Sequence, residues 1–265
     1  AASDVYKRQI IDGAVGSSRR VWVTIRETLV LLCIAIGLTP AFKMKFWNIG
    51  AEGQILMGGM ATAALMIYAG DAMPNWLLLI LIFIASAAAG LIWGLIPAVF
   101  KAYFNTNETL FTLMLNYVAM QLVTFAIVFW ENPSGSNTVG IINAAGQKGW
   151  FPSIFGNMYG LNVIVVLIIT LGMYVYMKYS KQGYEIAVVG ESQNTARYAG
   201  INVKKVIIRT MMLSGAICGI AGCLIVSGAS HTISTSTAGG RGFTAIIVAW
   251  MSKFNPCLLY TSPSP

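Results

Sequence analysis

Apolar runs alternate with short polar stretches along the whole chain. They cover residues 28–42, 55–69, 76–100, 110–130, 161–177 and 206–228, and a seventh begins at 243–251. Several approach the ~20 residues that carry a helix across a bilayer. None shows the ten-residue alternation of a membrane β-barrel strand. The pattern predicts an all-α, polytopic membrane protein with about seven transmembrane or membrane-embedded helices. Small residues recur within the runs. Gly90 and Gly94 form one GxxxG pair, Gly215 and Gly219 another, and Ser214, Cys218 and Gly222 repeat every fourth position. Such rows let helix backbones approach closely in lipid.

Composition agrees. Of the 265 residues only 10% are charged, where a soluble domain carries about 25%, and the mean hydropathy is +0.71. The net charge of +8 is not a nucleic-acid signature, because no basic stripe is interleaved with aromatics. The cations sit between the apolar runs instead, as the orientation rule requires. Lys178, Lys181, Arg197, Lys204, Lys205 and Arg209 place six of the 17 basic residues in one loop, 178–209. That loop is assigned to the cytoplasm, and alternation puts 42–51 and 101–107 on the same side. Segments 71–75 and 131–160 then lie outside, with Lys148 as their one basic residue. Arg19, Arg20 and Arg26 fall outside as well, which suggests an interfacial segment following a helix that the sequence does not contain.

Both ends differ in character from the rest. "AASDVYKRQ" (1–9) and "CLLYTSPSP" (257–265) read as adapter-derived, non-native tails. Residues 10–256 are expected to form one permease-like transmembrane domain, a fragment lacking a helix before it and at least one after.

The chemistry that is missing narrows the function. There is no Walker A sequence, hence no P-loop for ATP. The single histidine, His231, stands among Ser230, Thr232 and Ser234 and reads as an external loop residue. No metal spacing is present, and Cys33, Cys218 and Cys223 lie inside apolar runs as small packing residues. No metal, cofactor or catalytic residue is assigned. A membrane enzyme of lipid or cell-wall metabolism would need clustered acids or histidines. A proton-coupled carrier would place an acid or histidine in mid-membrane, whereas Glu52 and Glu108 stand near the cytoplasmic ends of their spans. Coupling to another ion stays open, since broken helices supply carbonyl ligands.

Three polar groupings remain. "WNIGAEGQILMGGM" (47–60) carries Asn48, Glu52 and Gln54 at the mouth of an apolar run. Asn48 suits a helix N-cap and Glu52 the positive end of the same helix. In "NETLFTLMLNYVAMQ", Glu108, Thr112 and Asn116 share one helix face, while Tyr117, Gln121 and Thr124 form a second patch. Asn48, Glu52, Gln54, Asn116 and Gln121 are therefore candidates for lining a translocation path, with interhelical bonding as the alternative. In the cytoplasmic loop, Ser192 can cap a short helix and Gly200 can end it in the left-handed conformation. A helix of about eight residues between Gly190 and Gly200 is too short to stand alone. It either lies on its own bundle or docks a partner.

Four segments together resemble one family. They are "NIGAEGQILMGG" (48–59), "NETLFTLMLNYVA" (107–119), "GESQNTARYAGINV" (190–203) and "GGRGFTAIIVAWMSKFNP" (239–256). In this order, over about 18–256, the chain resembles the permease subunits of ABC importers for branched-chain amino acids, ribose and nucleosides. It is most similar to nucleoside and simple-sugar permeases that work with basic-membrane-protein-type lipoproteins. The resemblance implies a multi-pass protein of the bacterial cytoplasmic (inner) membrane, paired with a second and usually different permease. It also implies a separate ABC ATPase subunit that binds the ATP, and an extracytoplasmic substrate-binding lipoprotein. The ATPase-coupling helix maps to Gly190, Ser192, Asn194, Ala196, Arg197, Tyr198 and Gly200. Where the family often has Asn-Pro and Ala-Ala, this chain has Ser192-Gln193 and Thr195-Ala196. The external loop 131–160, with Trp150 and Phe151, would receive the lipoprotein. The reading is an importer of a nucleoside or simple sugar; the alternative is an ion-coupled secondary transporter of a small polar solute.

Overall fold

The computed structural model describes residues 2–153 and 158–252. The regular elements among them are all helical: α1 (Ala2–Val15), α2 (Ser18–Lys43), α3 (Ala51–Ala69), α4 (Asn75–Phe104), α5 (Glu108–Trp130), α6 (Gly160–Tyr179), α7 (Lys181–Glu191), α8 (Gln193–Tyr198), α9 (Val203–Ile225) and α10 (Arg241–Met251). A single π turn, Val226–Ser230, extends α9. Five helices are long and apolar enough to cross a membrane, namely α2, α4, α5, α6 and α9 with its π turn. Each of the seven apolar runs forms a helix. The last native-looking stretch of the resemblance, beyond Ser252, lies outside the described residues.

Helix α9 is the axis of the bundle. It packs on α4, α3 and α2, and most of its residues are buried. The small residues make this possible. A Cβ on Gly90 would run into the carbonyl oxygen of Gly215, and one on Gly219 into that of Ser86. One on Gly58 would strike Gly219, and one on Gly222 the carbonyl of Ile55. The two GxxxG pairs thus face each other across α4 and α9, and α3 packs against both helices.

The two ends separate as the charge pattern predicts. Gly190 of α7 touches the Lys43 carbonyl at the end of α2. Lys204 lies 4.7 Å over the Tyr103 ring at the end of α4. At the opposite end, the Asn143 amide donates to the Met66 carbonyl at 2.7 Å, the Asn75 side chain accepts from Gly149 N–H at 2.8 Å, and the His231 carbonyl accepts from Ile142 N–H at 2.8 Å. The N-terminal arginines differ from expectation. Arg19, Arg20 and Arg26 belong to the first turns of α2, whose N-cap Ser17 accepts from Arg20 N–H at 3.3 Å. Arg26 lies 5.3 Å over the ring of Tyr159, at the outer end.

Candidate functional site

Two segments break inside the bundle and meet there. At the end that carries α7, the chain after α2 turns back on itself, with Phe46 N–H donating to the Ala41 carbonyl at 3.0 Å. Asn48 then reaches Ser214, at the middle of α9, with an amide-to-hydroxyl distance of 3.4 Å. Helix α3 therefore starts within the bundle, and Glu52 sits deeper than its place beside a loop implies. At the opposite end, the chain after His231 turns back to Gly240, where α10 begins. Helix α10 then runs toward the end of α2, where Trp250 meets Trp47 edge-on at 5.9 Å.

Glu52 joins the two. It is 4% exposed, and its two carboxylate oxygens accept from Gly240 N–H at 2.7 Å and from Gly242 N–H at 2.8 Å. These are amides at the start of α10, which are left without intrahelical partners and carry the positive end of the helix dipole. The glycines are required. Gly240 adopts φ 76°, and a Cβ on Gly242 would lie 2.6 Å from the Glu52 nitrogen. Between them Arg241 pairs with Glu27 of α2, with N···O distances of 2.8 and 2.9 Å. Two acids from two helices thus hold the entry of α10.

The amides hold α3 in a similar way. Asn48 does not cap α3. Its carbonyl oxygen accepts from Gly50 N–H at 3.0 Å, and Gly50 takes the N-cap position without a side-chain bond. The capping acceptor comes from another helix instead. The Asn116 oxygen of α5 accepts from Gly53 N–H at 2.8 Å, and its amide donates to the Ile49 carbonyl at 2.9 Å. Thr112 accepts from Ile49 N–H at 3.3 Å. Gln54 accepts from the Asn48 amide at 3.4 Å. Asn48, Glu52, Gln54 and Asn116 are all buried around the start of α3, with Asn48 bonded to Gln54, Asn116 to the backbone at Ile49 and Gly53, and Glu52 to α10. Gln121 is not among them and is exposed on the far side of α5. The remaining acid of the fourth span, Glu108, pairs with Lys101 at 2.7 Å and ties α4 to α5.

The segment between α6 and α9 forms two helices. Helix α7 continues through Gly190 to Glu191. Ser192 then turns extended (φ −155°, ψ 120°) and accepts from Thr195 N–H at 3.3 Å as the cap of the six-residue α8. Gly200 ends the turn at φ 76°. Helix α7 buries Gly183, Ile186, Val189 and Gly190, and Glu185 accepts from Arg209 of α9 at 2.9 Å. Helix α8 buries Ala196 alone. Asn194 and Arg197 are exposed, and Tyr198 is 94% exposed. The helix expected between Gly190 and Gly200 is α8, six residues long, with Ser192 as its cap and Gly200 ending it, and a docked helix, α7, precedes it. An extended Ser192 both ends α7 and starts α8.

Sequence reasoning missed the outer cavity. Its volume is about 600 Å³, and its lining includes Asn75, Gln147, Lys148, Trp150, Ser153 and His231. The Trp150 and His231 rings stack at 3.7 Å, and Phe151 stacks on Phe83 at 5.5 Å. These aromatics serve the loop's own packing and leave Ile141, at 62% exposure, facing outward. Burial pushes the His231 imidazole below its usual range.

Helices of membrane-spanning length, two segments broken inside the bundle and a helix pair hung between spans are the architecture of a polytopic membrane protein of the kind that builds solute sites from discontinuous helices. The family described as branched-chain amino acid transport system, permease component, matches residues 23–257, and the chain belongs to it. Its relatives include the guanosine ABC transporter permease protein NupP of Bacillus subtilis, 32% identical over 241 residues (90% of this chain, 69% of NupP). The nucleoside ABC transporter permease protein NupB of Lactococcus lactis is 27% identical over 252 residues (92% and 69%). The glucose ABC transporter permease protein TsgB13 of Haloferax volcanii is 29% identical over 238 residues (85% and 61%).

Proposed function

We propose that this chain is the membrane permease subunit of an ATP-driven importer that takes up nucleosides or related simple sugars across a bacterial cytoplasmic membrane. The observation that carries the mechanism is the contrast between α7 and α8. Helix α7 is fastened to α2 and α9, so force applied to the pair reaches the bundle. Helix α8 presents Asn194, Arg197 and Tyr198 to the cytoplasm without a side-chain partner among the described residues. A separate ATPase subunit would grip α8, bind and hydrolyse the ATP, and shift the spans between inward-open and outward-open states. The relatives' names supply the solute class.

A second, related permease and an extracytoplasmic binding lipoprotein complete the assembly. The exposed outer loop around Ile141 is the receiving surface for the lipoprotein. Within the bundle, Asn48, Glu52, Gln54 and Asn116 brace the broken segments behind the path, and Gln121 faces it.

The test is uptake by the reconstituted complex. Vesicles containing the permease pair and its ATPase, supplied with the binding protein, should accumulate a labelled nucleoside or sugar only when ATP is hydrolysed. Accumulation driven by an ion gradient with the ATPase absent would instead establish the secondary transporter.

A further inference from the structure

Helix α9 does not finish as an α-helix. Its last turn, Val226–Ser230, is a π turn, closed by His231 N–H donating to the Val226 carbonyl, five residues back, at 2.9 Å. A π turn holds one residue more than an α turn, and this rare form recurs at functional positions. His231 then takes the left-handed conformation, φ 52°, which is uncommon for a residue with a side chain. The outer loop is strapped to this turn at three points. Phe151 N–H donates to the Ser227 carbonyl at 3.3 Å, Ile142 N–H donates to the His231 carbonyl at 2.8 Å, and the Ser227 hydroxyl donates to the Gly149 carbonyl.

Asn162 faces the same turn with nothing to hold. It is the third residue of α6 and fully buried. Neither its amide nitrogen nor its oxygen has a hydrogen-bond partner among the described residues. A Cβ on Gly228 would lie 2.5 Å from its Oδ1 and 2.9 Å from its Nδ2, so the amide abuts the backbone of the π turn. Asn48, Gln54 and Asn116 are equally buried and are all bonded. A buried amide without a partner destabilises the arrangement that holds it and favours one that supplies a partner.

We propose that Val226–Ser230 is a relay with two registers, and that Asn162 is the partner held ready for the second. In the present register the turn keeps its extra residue and leaves Asn162 unpaired. Returning the turn to α geometry moves its backbone one residue past Asn162, whose amide offers one acceptor and two donors. The same step pulls on the three straps and so on the outer loop. Packed elements of this kind switch between discrete arrangements and do not deform continuously. Pressure on the outer loop by a docked extracytoplasmic protein thereby reaches α9, the axis of the bundle. That last link rests on the importer reading above; the two registers do not.

Amide hydrogen exchange in the assembled complex tests the registers, and ATP hydrolysis tests the link. Asn162→Leu removes the unpaired amide from the present register and its bonds from the second. The amides of 226–230 should then exchange about tenfold more slowly than in the parent, the worth of one lost hydrogen bond, with the Tm kept. Thr170→Val serves as the control on the same helix. It removes a buried hydroxyl that already donates to the Val166 carbonyl at 2.7 Å, and exchange at 226–230 should not change. In vesicles, the soluble form of the binding lipoprotein should accelerate ATP hydrolysis by the parent and by Thr170→Val. That acceleration should fall about tenfold in Asn162→Leu while basal hydrolysis stays the same. Equal exchange in the parent and in Asn162→Leu would overturn the relay. So would a lower Tm in Asn162→Leu, since it would show that ordered water already bonds the amide in the present register. Slower exchange in a complex whose ATP hydrolysis ignores the binding protein would overturn the importer reading and leave the two registers standing.

Discussion

Glu52 shows how little a residue's identity says about its task. An acid in the first turn of a helix suits that helix's own dipole, and the sequence supports that use. In the fold its carboxylate serves α10 instead, bonding two amides that have no intrahelical partner. Hydrogen bonds to a charged group contribute about 1.5–3 kcal/mol, and neutral ones about 1. Glu52→Gln should therefore cost about 1–3 kcal/mol and lower the Tm of the purified complex. An unchanged Tm would show that the carboxylate does not hold α10. His231 is a second case. Its ordinary value is near 6.5, and burial lowers it in the folded state. The unfolded chain therefore binds more protons below that value, so stability is complete above about pH 6.5 and declines as pH falls through it. Limited proteolysis of the outer loop should accelerate between pH 7.5 and 5.5. His231→Gln should remove that dependence; an equal acceleration in the variant would assign it elsewhere.

At the scale of elements, helices complete one another's ends. Gly50 gives α3 no side-chain cap, and α5 supplies the missing acceptor through Asn116. Asn116→Leu leaves Gly53 N–H and the Ile49 carbonyl buried without partners, at about 1–3 kcal/mol each. The expected result is a loss of about 2–5 kcal/mol in thermal unfolding, with uptake falling alongside. A stable variant with unchanged uptake and solute range would remove Asn116 from any role in transport. The caps at Ser192 and Gly200 were legible in the sequence because both act within a few residues. The Asn116 cap was not, because 63 residues separate it from Gly53, whose N–H donates to it. Helix α7 depends on a similar long-range fit. Gly190→Val would force a side chain into the Lys43 carbonyl and lift α7 from α2. ATP hydrolysis should then continue while uptake falls, and retained coupling would contradict the role of that contact.

For the whole molecule, the decisive arrangement is that α8 projects while α7 is fastened. Replacing 193–198 with a Gly-Ser linker of equal length removes nothing from the core except Ala196. The permease should still fold and insert, and the ATPase should no longer co-purify with it. An ATPase that stays bound and coupled would place the contact elsewhere on the cytoplasmic face. The molecule also explains why polar groups that look alike in sequence divide. Asn116 and Gln121 are five residues apart on one helix, so one meets α3 and the other points away from the bundle.

Hydropathy, charge placement and small-residue spacing determined on their own that the chain is a polytopic helical bundle, which loops gather at the same end and where helix backbones come close. Those properties follow from local solvation and helical period, which any stretch of sequence carries by itself. The collinear motifs determined the family as well. Only the tertiary structure decided that two segments break inside the bundle and that Glu52 binds the amides of a helix 188 residues away. It also decided that Asn48 bonds Gln54 and Asn116 the backbone at Ile49 and Gly53, while Gln121 forms no hydrogen bond with a described residue. The reason is physical. A buried polar group takes whichever partner the packing brings within about 3 Å, and a contact between residues far apart in sequence exists only once the helices are assembled.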